Sequence, residues 1–456
     1  MIPRIIALAV CLLGSVAKAQ TTIDLSIAEA RAIATQALFA GDSALARDIA
    51  QAILAQLPDD RDALAILAAA APQQGDARAG RIAGARAFAL SQTDAQRYES
   101  ARLTALAATN EQRFTLATFW LRRALIAAPG DADRAQTLAD ARLVKQMNPW
   151  SFDVSATLTP SSNVNGGTSD ANLPDFGGWT GTFSEAALPQ AGWRASLGLG
   201  VSYRLRESPA SRTLIGGQYQ LGRVRITDDV SIPDRAFDTD VAQLNLRHDH
   251  ALTTGSISGH LAYARVTYRK LNAEETDTDT RYYDSLRFGL DRHIPVGADT
   301  EVTLSLGRDL ADYEETAIGQ VRRNTAGAAL AYRLSSGDVV RASIGLADSR
   351  SANPGYQSEE WTLQGSYAWA EQIGPISLNV GAGITRADYP DYRLFVSGDG
   401  GRRDTSHFYS VNTGFPQVSY AGFIPELSVT VQHTDSNVSR FTRDTLSAGL
   451  TIRSEF

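Results

Sequence analysis

The chain has 456 residues, a formal charge of −7 and a single cysteine. The acidic balance excludes a nucleic-acid protein, which needs a basic face to neutralise phosphates. With 43% hydrophobic and 20% charged residues it is neither a disordered tail nor a bundle of apolar membrane helices.

The first residues read as an address. Arg4 supplies a positive charge, Ile5 to Leu13 form a short apolar run, and Ala17-Lys18-Ala19 has the small-x-small pattern of a cleavage site. Residues 1–19 are therefore expected to be a signal peptide, since a transmembrane helix needs about 20 apolar residues. Cys11 lies inside the run behind Val10, where lipid attachment would want a small residue. After cleavage the mature chain would carry no thiol, hence no disulfide and no thiolate chemistry.

From Ser26 to Met147 alanine dominates, with leucine, arginine and glutamine, all strong helix formers. Apolar positions recur at helical spacing, as in Ala46, Ile49, Ala50, Ile53, Leu54 and Leu57. Breaks at Gly41-Asp42, Leu57-Pro58-Asp59, Gln74-Gly75-Asp76 and Ala128-Pro129-Gly130-Asp131 divide the region into helices of roughly a dozen residues. Stacked antiparallel hairpins are expected over residues 20–147. The endings Ala55 to Asp60 and Ala127 to Asp131 resemble the closing turn of tetratricopeptide repeats, and a plain helical bundle fits the same pattern. Residues 20–149 hold 14 basic and 14 acidic side chains, so the negative excess lies wholly after Pro149.

At Asn148-Pro149-Trp150 the apolar period changes from 3.6 to 2. Leu446, Ala448, Leu450, Ile452 and Phe456 share one face of the last strand, with Thr445, Ser447, Thr451, Arg453 and Glu455 on the other. The same alternation runs through Leu197-Leu199-Val201-Tyr203-Leu205, Leu286-Phe288-Leu290, Val340-Ala342-Ile344-Leu346 and Leu427-Val429-Val431. About fourteen strands of roughly ten residues or more are expected, the length of a tilted membrane-spanning strand, whereas sandwich strands run to about 5–6. Residues 148–456 are thus read as a transmembrane antiparallel β-barrel behind an all-α module. Arg194, Arg204, Gln243, Asn245, Arg247, Arg287, Asp291, Gln364, Asn379 and Arg453 fall on the lumen phase. An arginine facing lipid there would cost about 2–4 kcal/mol. Trp361 and Trp369 share the apolar face at the spacing of two interfacial aromatic girdles, so outer-membrane lipid is an expected partner. Short connections near 207–210, 252–255, 295–298 and 335–338 alternate with long ones at 161–192, 227–237, 271–279 and 388–401. This is the periplasmic-turn and outer-loop pattern of outer-membrane barrels. The helical module then lies in the periplasm.

No constellation for catalysis is legible. His248 and His250 continue the lipid-facing row of Ala242-Leu244-Leu246, which makes them interfacial polar residues rather than metal ligands. Glu274, Glu275, Asp277 and Asp279 read as a solvated loop, and Gly381-Ala382-Gly383 sits mid-strand, where glycine lets a barrel curve. No nucleophile–base pair or phosphate loop appears. A non-enzyme without cofactor or metal is expected.

Residues Pro149 to Asn165 read Pro-Trp-Ser-Phe-Asp-Val-Ser-Ala-Thr-Leu-Thr-Pro-Ser-Ser-Asn-Val-Asn. This resembles the first barrel strand of the surface lipoprotein assembly modulator (Slam) family, which opens with an alternating strand and a Pro-x-Ser-Asn-x-Asn turn. The matching positions are Pro160, Ser162, Asn163 and Asn165. The resemblance implies a type XI secretion translocon, with a periplasmic tetratricopeptide-type domain before a barrel of about fourteen strands. Its client would be a lipoprotein or a small secreted binding protein. The terminal Phe456 resembles the signal read by the barrel-assembly machinery. Tyr98, Phe114, Phe119 and Trp120, the bulky aromatics of the helical module, are candidate client contacts as well as candidate helix core. A passive porin or solute channel and an exopolysaccharide exporter remain alternative readings.

Overall fold

The computed structural model describes residues 25–171, 181–233, 235–393 and 401–454. The expected signal peptide and Phe456 lie outside them. Seven helices come first: α1 (Ile27–Phe39), α2 (Ser43–Gln56), α3 (Arg61–Gln73), α4 (Ala77–Leu90), α5 (Asp94–Asn110), α6 (Phe114–Ile126) and α7 (Asp131–Met147). The chain divides into two compact units between Arg113 and Phe114. The change from helix to strand comes later, at 147–150, so α6 and α7 group with the barrel.

In the first unit each helix packs on the next, and α3 also packs on α1 and α5. Ile27 and Arg61, the starts of α1 and α3, lie 34 residues apart, as do the starts of α2 and α4, Ser43 and Ala77. That is the period of a tetratricopeptide repeat. Close packing follows from alanine: Ala34, Ala46, Ala50, Ala63, Ala70 and Ala87 are fully buried, and a methyl side chain lets helix axes approach. The breaks work as pairs of signals. Gly41 and Gly75 take the left-handed conformation that ends one helix (φ 82° and 80°), and the next residues, Asp42 and Asp76, cap the following one.

The second unit is a closed barrel of fourteen antiparallel strands. In order they are β1 (Trp150–Ser161), β2 (Gly192–Glu207), β3 (Ser211–Ile226), β4 (Thr239–Ala251), β5 (Ser256–Leu271), β6 (Thr278–Val296) and β7 (Thr300–Tyr313). The second half comprises β8 (Gln320–Arg333), β9 (Val339–Ser351), β10 (Ser358–Ala368), β11 (Ser377–Tyr389), β12 (Arg402–Gly414), β13 (Phe423–Ser436) and β14 (Arg443–Ser454). Each strand pairs with its sequence neighbours, and β1 closes on β14. Connections 208–210, 252–255, 297–299 and 334–338 lie at the end where β1 begins and β14 finishes. The longer 162–191, 227–238 and 390–401 lie at the other, but the alternation is incomplete: 272–277, expected to be long, has six residues, and 369–376 and 415–422 at the first end have eight each.

Register fixes the faces. Leu346 pairs with Trp361 and Ile344 with Leu363, and these pair in turn with Arg386 and Ile384. Exposed Leu199, Leu244, Phe288, Leu306, Leu363 and Leu450 all belong to this outward row, which gives the barrel the apolar belt of a membrane-embedded surface. The belt has a sharp edge. Beyond Trp361 the outward positions become Glu359, Asp348 and Arg350, with Arg350 bridging both acids at 2.6 and 3.1 Å. Arg308 also points outward, but it lies level with Asn324 and Asp348 and so beyond the belt.

Helices α6 and α7 are fastened to the barrel end. Arg122 of α6 donates to Ala421 O (2.8 Å) and Ser454 Oγ (2.9 Å), and its guanidinium lies 4.3 Å from the centre of the Phe423 ring. Arg134 of α7 donates to Ser419 Oγ at 2.6 Å.

Candidate functional site

Three features of the fold bear on function: the first loop, the lumen and a groove in the helical unit. The Pro160-to-Asn165 segment ends β1 and starts the 162–191 connection. Pro160 is still in the strand, opposite Trp193 of β2. Ser162 Oγ accepts from Leu446 N–H of β14 at 3.0 Å. Asn163 is buried; its Oδ1 accepts from Gly167 N–H (2.7 Å), and its Nδ2 donates to Gly167 O (2.8 Å) and Asp444 O (3.3 Å). Asn165 Nδ2 donates to Ala186 O and Leu188 O, and its Oδ1 accepts from Gln190 N–H. A side chain at Gly167 would lie 2.2 Å from Leu188 O, so only glycine allows the two loop strands to approach. Just beyond, buried Thr168 donates to Ser439 O at 2.6 Å. The two asparagines thus satisfy backbone groups that have left the ladder, and they fold this loop over the β13–β14 connection.

Replacing Asn163 by alanine leaves Gly167 and Asp444 groups without their amide partner inside a buried turn. A loss of about 1–3 kcal/mol is expected, read as a lower unfolding midpoint in detergent and faster proteolysis within 162–191. Ser162→Ala, which removes one acceptor at an exposed position, should cost less.

The lumen is lined by small and polar side chains with paired charges among them. Arg323 holds Glu360 through two bonds of 2.8 and 2.7 Å, Arg287 reaches Asp309 at 3.1 Å, and Arg247 reaches Asp249 at 2.7 Å. Gly327, Gly345 and Gly381 leave the wall thin, and a niche of about 380 Å³ opens beside Arg341, Gln364, Asn379 and Phe408. The register places all ten residues expected on the lumen phase there. His248 and His250 lie in the outward row, opposite Thr213 and Ser211. Of the acids expected in a loop, Glu275 accepts from Ser184 at 2.9 Å, while Asp279 stands in β6 opposite Lys270 and pairs with Arg281; among the described residues no group of acids and histidines could hold a metal ion. In the loop after β7, burial would raise the Glu315 carboxyl, but Lys270 and the Tyr268 hydroxyl outweigh it and hold it below the usual carboxylate range.

The helical unit carries a groove of about 470 Å³ lined by α1, α3 and α5, with Leu38, Phe39, Ile66 and Leu103 between Arg31, Arg61 and Glu99. Phe39 is 89% exposed. The four aromatics singled out in the sequence do not gather there. Tyr98 is buried in α5, while Phe114, Phe119 and Trp120 belong to α6 in the second unit. Trp120 is buried against Phe119 (5.8 Å, edge-on), and Phe119 is exposed under the Arg123 guanidinium. Sequence reading missed the groove because its apolar members are ordinary helix residues. It also missed Asp60, whose carboxylate joins α1 to α3 through Arg31.

No family model matches the chain and no curated protein is a detectable sequence relative. Solved barrels are similar in part. A BenF-like porin from Pseudomonas fluorescens Pf-5 is 8% identical over 67% of this chain and 98% of its own, with a TM-score of 0.34. OccAB3 of Acinetobacter baumannii is 9% identical over 66% and 98%, with a TM-score of 0.35. OprD of Pseudomonas aeruginosa is 9% identical over 66% and 94%, with a TM-score of 0.32. The fold itself rests on the unbroken order of strand pairing.

Proposed function

We propose that this chain is an outer-membrane translocon that exports a lipid-anchored surface protein or a small secreted binding protein. The helical unit, in the periplasm, holds the client, and the barrel passes it outward. The observation that carries this reading is the amphipathic groove across α1, α3 and α5. Its apolar floor and charged rim suit a peptide segment laid against helices, and a passive pore has no use for it. The resemblance at Pro160, Ser162, Asn163 and Asn165 points the same way. Physical width limits the mechanism: about eight strands are filled by side chains and 16–18 leave a water channel, so fourteen would pass an unfolded chain and not a folded domain.

A solute channel is the second reading, favoured by the polar lumen and its niche beside Arg341 and Phe408. Deletion of the gene followed by a comparison of surface and secreted proteins separates the two. Loss of one surface or secreted protein, with uptake of small solutes unchanged, is expected. An unchanged protein profile with lowered solute uptake would establish the channel.

A further inference from the structure

The lipid-facing wall carries a furrow along β8. Its outward positions Ala326 and Ala328 stand opposite Leu306 and Leu304 of β7 and opposite Leu346 and Ile344 of β9. Two methyl groups thus form a floor between four larger, exposed side chains. Paired strands lie about 4.8 Å apart, so the backbones of β7 and β9 are about 9.6 Å apart, which leaves the width of one acyl chain between the larger side chains. Leu330, opposite Val302 and Ala342, closes the furrow toward the short-turn end. Toward the long-loop end it widens into an open hollow of about 670 Å³, where Leu306, Ala326, Leu346 and Trp361 meet Asn324 and Asp348.

Positive charge collects at that wide end. Arg308, Arg322 and Arg350 all belong to the outward row and all are exposed. Arg322 stands directly opposite Arg350, and Arg308 lies diagonal to Arg322. Like charges placed directly opposite repel. Arg350 is compensated by Asp348 and Glu359 at 2.6 and 3.1 Å. Arg322 reaches only the neutral Gln320 side chain, at 2.9 Å, and the Arg308 guanidinium has no hydrogen-bond or ionic partner among the described residues. Asp312, one step further out and opposite Gln320, pairs with neither. Other outward arginines are matched: Arg265 holds Asp284 through bonds of 2.9 and 2.8 Å, and Arg223 reaches Asp240 at 2.5 Å. Two guanidiniums at the mouth of an apolar furrow are left uncompensated.

We infer that the furrow and its arginines hold a membrane lipid bearing a phosphate monoester, in the leaflet at the long-loop end of the barrel. One acyl chain lies along Ala328 and Ala326, and the phosphate sits between Arg308 and Arg322. Charge selects the headgroup. A phosphate monoester carries about −1.5 to −2 at neutral pH, which balances both unpaired guanidiniums, whereas a diester with its single charge balances one. Arginine suits the role because its planar fork takes phosphate oxygens two at a time. A free phosphate would gain nothing from the furrow, so the acyl-bearing source is the one that uses the whole site. The bound lipid would relieve the Arg322–Arg350 repulsion and brace β7, β8 and β9 together. The site lies on the outer face of the wall, so it is independent of whether the lumen exports protein or passes solutes.

Native mass spectrometry of the full chain in detergent, titrated with diphosphoryl lipid A, tests the site. Lipid A, whose phosphates are monoesters, should bind at least tenfold more tightly than phosphatidylglycerol, whose phosphate is a diester. R308A/R322A should lower lipid A affinity at least tenfold. Ala326→Phe, which fills the furrow and leaves the arginines in place, should lower it as well. R265A, which removes an outward arginine already held by Asp284, should leave it unchanged. Unfolding midpoints in detergent separate lost binding from misfolding. Without lipid, R322A removes a repulsion and should unfold at the wild-type midpoint or above it. With lipid A present, the wild-type midpoint should rise by more than that of the variant. A misfolded variant would instead fall below the wild type in both conditions. Phosphatidylglycerol bound as tightly as lipid A, lipid A bound as tightly by R308A/R322A, or a lipid-free R322A midpoint below the wild type would each overturn the inference.

Discussion

Asp60→Ala is expected to destabilise the helical unit by about 2–4 kcal/mol, a larger effect than any other single polar replacement in it. The Asp60 side chain is 1% exposed and does two things at once. Its Oδ1 accepts from Ala63 N–H at 2.9 Å and caps α3, while its Oδ2 takes the Arg31 guanidinium of α1. One carboxylate therefore starts a helix and pins it to the helix one period earlier. Removal leaves an uncapped first turn and an arginine with a vanished partner; because Arg31 is 37% exposed, water recovers part of that loss. Asp60→Asn keeps the cap and should cost less than the alanine.

The same carboxylate predicts an acid response. Burial alone would raise its pKa, but the Arg31 guanidinium and the Ala63 N–H outweigh it, so the folded value lies below that of an ordinary aspartate. Its contribution is then fully present above about pH 4 and is lost as the pH falls through the folded value, because the unfolded chain binds the proton first. Glu111, held low by Arg81, adds to the slope in the same direction. Helical circular dichroism melts of the full chain in detergent between pH 2 and pH 7 would check this. Asp60→Ala should flatten the acid limb, and an unchanged limb would remove Asp60 as its cause.

Local chemistry was legible in the sequence; pairing between distant segments was not. Gly41-Asp42 and Gln74-Gly75-Asp76 announce helix ends because glycine and aspartate each do one conformational job there. The turn between α5 and α6 gives no such notice: Gln112 adopts φ 60°, and a glutamine carries no mark of it. Strands were readable because one face meets lipid and the other water, so every second residue is constrained. The aromatics of α5 and α6 stayed open between client contact and helix core for the converse reason. Tyr98 and Trp120 are large enough to be contacts, and which way they face is decided by neighbouring helices. Pro160 is visible as a residue, but that its nitrogen faces β14 and leaves a gap in the β1–β14 ladder is decided by how the barrel closes.

Leu363→Arg is expected to cost about 2–4 kcal/mol of folding stability in lipid vesicles, and Gln364→Arg, one residue along, about 0.5 kcal/mol or less. Leu363 is 51% exposed in the outward row, flanked in register by Ile344 and Ile384. It lies inside the belt bounded by Trp361, beyond which Glu359 and Asp348 already meet water. A guanidinium there must thin the bilayer or draw water into it. At Gln364 the same group enters the polar lumen, near Ser343 and Thr362 and the Arg323–Glu360 pair, where water already solvates charge. Two adjacent residues so become a measurement of which face is wet. Urea titrations of the barrel in vesicles give the free energies, and the gel shift of the folded barrel gives a coarse check. Equal costs at the two positions would contradict the register, because a strand displaced by one residue exchanges its faces. A larger cost at Gln364 would turn the barrel's inside and outside around.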